Sequence, residues 1–371
     1  MISLRFTTGV SRPASSEPFD QPRADAFAGK MVGILNSASI ALLCSVGRRT
    51  ELFDTMATMT AATSNEIAAA AGLQERNVRE WLSAMVCGGI VEHDPSAGTF
   101  RLPDEHAAAL TKAAGASAIS HFCQYIGLMG EVETDVVRVF RDGGGVPYER
   151  YTRFQELMAE SSATRFDAGL IDLVVPLLPN GISRLTQGAD VADIGCGRGK
   201  ATLLLAETFP ASNFTGYDFS EAAIAAAQAE AARRHVSNTT FEARDAAKLS
   251  LNAELDIVTS FDAVHDQAHP AAMLLGIFTA LRPGGTYLCV EPKASSHLHE
   301  NLDHPAAPFL YGMSTMHCMT VSLAYGGDGL GAAWGEQLAR EKLTAAGFVE
   351  IAAHTLPHDR LNTYFTATKP P

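Results

Sequence analysis

Positive charge is scarce in this chain: 28 lysines and arginines face 41 aspartates and glutamates, a formal net charge of −13. The imbalance opposes approach to phosphate backbones and anionic lipid, so neither nucleic acid nor a membrane is an expected partner. Cysteine is sparse as well. The six, at 44, 87, 123, 196, 289 and 318, form no CxxC pair, which excludes a disulfide framework or thiolate zinc site and fits buried thiols in a reducing compartment. No HExxH motif occurs, and no metal is expected. No apolar run reaches the roughly 18 residues of a membrane span. Met1 to Gly9 lack the core of a signal peptide, and a cytoplasmic address follows by elimination. No repeat recurs at solenoid periods, and the alanine-rich stretches 67–71 and 222–232 read as helices.

What the chain does have is length and apolar content. With 371 residues, 47% of them hydrophobic, it can bury two cores at about 150 residues per domain. Residues 1–22 mix prolines, serines and charges without periodicity and read as a mobile tail carrying no chemistry. The small apolar run Met31 to Val46 suits a helix buried against another, in the core or across a dimer contact.

Thr63-Ser64-Asn65-Glu66 is a capping box that opens a short helix closed by Gly72. In the next helix Val78, Leu82, Met85 and Val86 share a face, and Ile90 to His93, a Pro95/Gly98 turn and Thr99 to Leu102 follow as a hairpin. Residues 23–110 thus read as a winged helix, a fold whose second helix can enter a major groove. Arg76 and Arg79 are balanced there by Glu75 and Glu80, whereas a groove-reading helix needs a basic footprint. A transcription regulator that senses a ligand through its second domain is the alternative this domain invites. The helical patterning of 104–180, broken at Gly143–Gly145, Pro176 and Pro179, marks residues 111–185 as a connector and candidate pocket cap.

From Gly188 strand and helix alternate. Strands are expected at Val191–Ile194, Asn213–Tyr217, Thr239–Ala243, Leu255–Phe261 and Thr286–Val290, with helices ending near Phe209, His235 and Leu281. That rhythm predicts an α/β fold, a parallel sheet covered by helices. Phe348–Ile351 and Asn362–Thr368, about ten residues apart, permit an antiparallel edge pair.

The first of these strands runs into Asp193-Ile194-Gly195-Cys196-Gly197-Arg198-Gly199, a glycine-rich turn opening a helix, where backbone can approach a nucleotide. A tight turn without ligand has the same spelling. Asp218 ends the second strand, where a carboxylate accepts from both ribose hydroxyls, and Asp245 follows the third, within reach of an adenine amino group. Either acid could instead cap the helix after it. A nicotinamide Rossmann turn wants a sixth-position glycine; here that position is Lys200.

The turn, Asp218, Asp245 and the Leu281-Arg282-Pro283-Gly284-Gly285 turn together resemble the signatures of class I S-adenosylmethionine-dependent methyltransferases over residues 186–371. The resemblance implies a Rossmann-like seven-stranded sheet, S-adenosyl-L-methionine as cofactor and a small, largely apolar acceptor. It places Asp193, Gly195, Gly197 and Gly199 at the methionine part, Asp218 with Phe219 at the ribose, and Asp245 with Ala246 at the adenine, with Phe261 also against the cofactor.

After the fourth strand comes Asp262-Ala263-Val264-His265-Asp266-Gln267-Ala268-His269-Pro270. With the winged helix, this resembles the small-molecule O-methyltransferases, in which the histidine of such a His-Asp pair deprotonates the acceptor. By that pattern His265 and Asp266 are catalytic and Glu291, at the end of the next strand, orients the base. A histidine near neutral pKa suits this role; a structural histidine capping a helix is the alternative, since positioning alone can drive methyl transfer. Gln267 stands where the plant-type enzymes carry tryptophan, so the acceptor pocket or its packing must differ. The stretch Tyr311 to Val321, with Gly326 to Gly331 and Trp334, is similar to a bacterial group typified by mycobacterial winged-helix methyltransferases. Its methionines and aromatics either line an acceptor pocket or pack a core, and His317 is a second polar candidate there. His265 and His269 stand four apart like metal ligands, but Pro270 breaks the pattern; His297 and His299 are weaker candidates. A homodimer through the winged helix completes the expectations.

Overall fold

The computed structural model describes residues 19–371. The tail expected over 1–22 lies outside the described residues through Pro18, and Gln21 already opens a helix. The chain divides after Gly127 into two compact units.

The first unit contains α1 (Gln21–Arg49), α2 (Leu52–Ala57), α3 (Ser64–Ala71), α4 (Glu75–Cys87), the hairpin β1 (Glu92–Asp94) and β2 (Thr99–Arg101), and α5 (Asp104–Leu110). The long α6 (Ile119–Asp142) runs through the division. Thr63 and Glu66 form a reciprocal capping box at the start of α3, and Gly72, in the left-handed conformation, ends it. Phe53, Ile67, Leu82 and Met85 are fully buried between α2, α3 and α4, and the Trp81 indole donates to the Leu43 carbonyl at 2.8 Å. Helix, turn, helix and hairpin make a winged helix. Its arginines are spent within α4: Arg76 pairs with Glu80 at 2.5 Å and Arg79 with Glu75 at 3.3 Å.

α1 differs from the sequence expectation of a buried helix. Cys44, Ser45, Gly47 and Arg48 are buried near its end, but Phe27, Met31, Ile34, Leu35, Leu42 and Val46 are exposed. At 29 residues it is also long and apolar enough to cross a membrane by length and composition, which corrects the expectation that no stretch is. Glycine, alanine and serine between the large residues interrupt the apolar run without introducing charge.

The second unit opens with α7 (Phe154–Gly169), which continues into a wide π-helical turn at Leu170–Val174, and α8 (Gly181–Gln187). Strands β3 (Asp190–Ile194), β4 (Asn213–Asp218), β5 (Thr239–Ala243), β6 (Leu255–Phe261) and β7 (Leu281–Pro292) alternate with α9 (Lys200–Thr208), α10 (Glu221–Arg234) and α11 (Pro270–Ala280). An insert follows, built from α12 (Ala307–Met313), a π-helical turn at Ser314–Cys318 and α13 (Met319–Ala324), before α14 (Gly335–Ala345), β8 (Val349–Leu356) and β9 (Asp359–Thr368).

The seven strands lie in the order β5-β4-β3-β6-β7-β9-β8, all parallel except β9, which runs antiparallel to both neighbours. Successive residues serve opposite faces, as pleating requires. Val191, Ile257, Leu288 and Tyr364 join the core under α7, α8 and α9, while Ala192, Val258, Tyr287 and Phe365 join the core under α11 and α14. Two expected boundaries move. β7 begins at Leu281, which pairs with Leu255. The final strands are joined only by Pro357 and His358, because β8 runs on through Ala352 to Leu356 and β9 already starts at Asp359.

Candidate active site

The chain doubles back between β3 and β6, so β4 and β5 lie to one side and β7 to the other. Ligand clefts of open α/β sheets form at such a switch point, beyond the carboxyl ends of the strands. A cleft of about 940 Å³, counting its open mouth, lies there.

Its floor is the turn after β3. The amides of Gly195 and Cys196 both donate to the Tyr217 carbonyl, at 2.8 and 3.0 Å, fastening the turn to β4. Gly197 has φ +53° and no heavy atom within 4 Å of where a Cβ would stand, so its bare backbone faces open space in the cleft wall. Gly199 is different. It does not line the cleft, and a Cβ there, at φ +76°, would meet the Phe241 ring at 2.7 Å and Ala227 at 3.0 Å. Gly199→Ala is therefore expected to cost about 3 kcal/mol from overpacking and left-handed strain, and Gly197→Ala about 1 kcal/mol from strain alone; urea unfolding measures both.

Two acids anchor the cleft. Asp193 accepts from the hydroxyls of Thr259 at 2.8 Å and Thr202 at 2.9 Å; burial raises its pKa to about 6 against those hydrogen bonds. Asp218 accepts from the amides of Gly197 and Ser220, each at 2.9 Å. Burial raises its pKa too, although these amides favour the carboxylate. Asp193, Gly195, Gly197, Asp218, Phe219, Ala246, Phe261 and Asp266 all line the cleft.

Asp245 and Gly199 are the cofactor candidates that the structure leaves out of this wall. The Asp245 carboxylate caps the amide of Ala247 at 2.9 Å and pairs with Lys248 at 3.0 Å. It takes the helix-capping role that its position after a strand also allowed.

His265 and Glu291 lie behind the wall, at 5% and 0% exposure. His265 Nδ1 is 2.7 Å from Glu291 Oε2, and Glu291 also accepts from the amide of Val264 at 2.9 Å and the indole of Trp334 at 3.2 Å. Burial pulls the His265 pKa down, but the Glu291 carboxylate and then the Cys318 sulfur outweigh it and hold the imidazole well above its ordinary value. Burial pushes Asp266 up to about 7, partly offset by His265. No group of metal-ligating residues assembles among the described residues.

Several lining residues carried no sequence signal. Phe154, Gln155, Met158 and Ser162 come from α7 and Tyr148 from the turn before it, and only the helical patterning of 104–180, broken by glycines and prolines, hinted at a cap. Asp262, just after β6, is held at φ +53° by the hydrogen bond its amide donates to the Val290 carbonyl and by Arg165, 2.7 Å from its carboxylate. A strained, ion-paired residue in a cleft wall is the kind of feature no spacing announces.

A switch-point cleft with a glycine turn, a strand-end acid and an antiparallel final strand defines the class I S-adenosylmethionine-dependent methyltransferase fold. Residues 185–332 match the methyltransferase domain family and residues 38–112 the Rv2258c-like winged HTH domain, so the chain joins a winged-helix domain of that type to a methyltransferase domain. Over 119 residues it is 33% identical to malonyl-[acyl-carrier protein] O-methyltransferase of Bacillus cereus, covering 32% of this chain and 38% of that protein. Over 138 residues it is 28% identical to trans-aconitate 2-methyltransferase of an Acidovorax species, covering 37% and 49%. The chain thus spans less than half the length of these relatives. Among solved structures, human N-acetylserotonin methyltransferase in complex with SAM aligns with a TM-score of 0.63 at 17% identity, over 97% of this chain and 100% of that one. Mitomycin 7-O-methyltransferase aligns at 0.67 and 18%, over 94% and 99%. At these identities the likeness speaks for the fold.

Proposed function

We propose that the chain transfers a methyl group from S-adenosyl-L-methionine to a small, largely apolar acceptor, most naturally at a hydroxyl. The observation that carries this reading is the Asp218 carboxylate, fixed by the Gly197 and Ser220 amides at the edge of a cleft whose floor is bare glycine backbone. These residues fit the cofactor: Asp218 would take the ribose hydroxyls, the Gly195–Gly197 backbone the amino-acid part, and Ala246 and Phe219 would flank the adenosine. When bound, S-adenosyl-L-methionine supplies an electrophilic sulfonium methyl.

The chain's own residues do the rest. Glu291 holds the Nδ1 proton of His265 and so fixes the tautomer, and Nε2 takes the acceptor's proton once the acceptor replaces the Cys318 sulfur as the partner of the imidazole. Trp334 and the Val264 amide orient the Glu291 side chain. Phe261 and the α7 residues exclude water from the cleft. Calorimetric titration with S-adenosylhomocysteine tests the reading: saturable binding is expected, and no binding by the folded protein would reject it.

The partners in this reading are the acceptor and a second copy of the chain. Phe27, Met31, Leu35, Leu42 and Val46 form an exposed apolar row on α1, the kind of surface that a partner covers. Leu35→Glu is expected to shift the sedimenting species from dimer to monomer; an unchanged mass would reject α1 as the contact.

A further inference from the structure

We propose that His317 binds the methyl acceptor, and that the acceptor is a flat aromatic molecule carrying a second, uncharged hydrogen-bonding group besides the one methylated. The inference rests on the methyl-transfer reading and specifies its substrate class.

His317 lies on the π-helical turn Ser314–Cys318, where the extra residue in the turn re-aims side chains, a device that recurs at functional sites. Its side chain is 1% exposed, yet neither Nδ1 nor Nε2 has a hydrogen-bond partner. Leaving a buried donor and a buried acceptor both unpaired is costly, and folded proteins tolerate few such groups. The orphaned imidazole therefore marks the place of a missing partner.

The surroundings state what that partner is. The imidazole stacks on Phe154, with ring centres 3.6 Å apart and planes 16° from parallel, and meets Tyr151 and Tyr148 edge-on at 4.5 and 5.8 Å. Phe154 and Tyr148 also line the cofactor cleft. The hydroxyl of Tyr151 donates to the Met316 carbonyl at 2.6 Å, and the amide of Val146 reaches Thr320 Oγ1 at 3.1 Å, so this aromatic wall is tied to the insert. An aromatic acceptor that slides in beside the Phe154 ring keeps the stacking and offers His317 its hydrogen bond.

Burial, reinforced by the charge of His265, lowers the His317 pKa to about 3. The ring is therefore neutral and presents one donor and one acceptor, which matches a hydroxyl or carbonyl. A carboxylate would need a cation that this imidazole does not become. On these grounds the acceptor differs in class from the acids in the names of the relatives matched by sequence.

The test compares the full-length protein with His317→Leu, His317→Phe and His317→Gln on 1,3-dihydroxynaphthalene, 1-naphthol and 1-naphthoic acid, with S-adenosylhomocysteine affinity and thermal melts measured alongside. For the unsubstituted protein, kcat/KM for the diol is expected to exceed that for 1-naphthol by about tenfold, the worth of one buried hydrogen bond, and the acid is expected to be the poorest acceptor. Leucine should erase the diol's advantage through KM with kcat little changed, glutamine should restore part of it, and cofactor-product affinity should stay constant. If leucine does not fold, phenylalanine, which keeps a flat ring in the stack, carries the same comparison. Cofactor-product binding without a diol preference, a preference that survives in the leucine or phenylalanine variant, or faster methylation of the acid would overturn this proposal alone; no S-adenosylhomocysteine binding by the unsubstituted protein would overturn the methyl-transfer reading with it.

Discussion

Asp218→Ala is expected to lower S-adenosylhomocysteine affinity by a hundredfold or more while leaving the fold intact. Both Asp218 oxygens are already committed to backbone amides of the glycine turn and of Ser220, so the carboxylate cannot swing away and its remaining lone pairs point in fixed directions. Two ribose hydroxyls donating to a buried carboxylate contribute about 1.5–3 kcal/mol each, which converts to a combined factor of 10² to 10⁴. Alanine also leaves the Gly197 amide unpaired and loosens the turn. Asparagine should be nearly as harmful, because its amino group would face an amide donor. Calorimetry measures the loss and a thermal melt checks the fold; an affinity within threefold of the unsubstituted protein would remove Asp218 from the cofactor site.

The second large effect is expected at the buried pair. His265→Gln should lower turnover by 10² to 10⁴, the usual worth of a positioned base, with cofactor-product binding unchanged. Glu291→Gln tests the electrostatics separately. The imidazole must be deprotonated to accept a proton, and Glu291 raises its pKa. The rate should therefore climb with pH through an inflection above the ordinary histidine value of about 6.5. Asp266, which titrates near 7 in the same cleft, loses its proton in the same direction. In Glu291→Gln burial is opposed only by the Cys318 sulfur, the inflection moves to lower pH, and the rate falls because the imidazolium formed during transfer loses its counter-ion. A pH profile unmoved by Glu291→Gln would end the base assignment.

The parallel strands were legible because β3, β6 and most of β7 are buried on both faces and the strands end in glycine or acidic punctuation. The winged helix was legible through its capping box and the spacing of Val78, Leu82 and Met85. Asp193 and Asp218 could be read at strand ends because the register of a parallel sheet puts strand ends at one edge. Asp245 shows the limit of that rule, since an acid after a strand serves a ligand or a helix amide equally well. The exposure of α1 was not legible, because periodicity reports an apolar face without reporting what covers it. Neither was the contribution of Tyr148 and Phe154, which meet the polar candidate His317 only after a chain separation of more than 150 residues has closed.

The antiparallel β9 sits between β7 and β8 although it is made last. The chain thus lays down its outermost strand before the one that attaches it, and β8 has no ladder to join until residues 359–368 arrive. The strand that carries Glu291 gains its second neighbour only with this late arrival, since Thr363 pairs with Glu291 across the β7–β9 ladder. During synthesis the edge of β7 stays open until β9 is made, which makes it a stretch where a nascent chain needs protection from pairing with a neighbour.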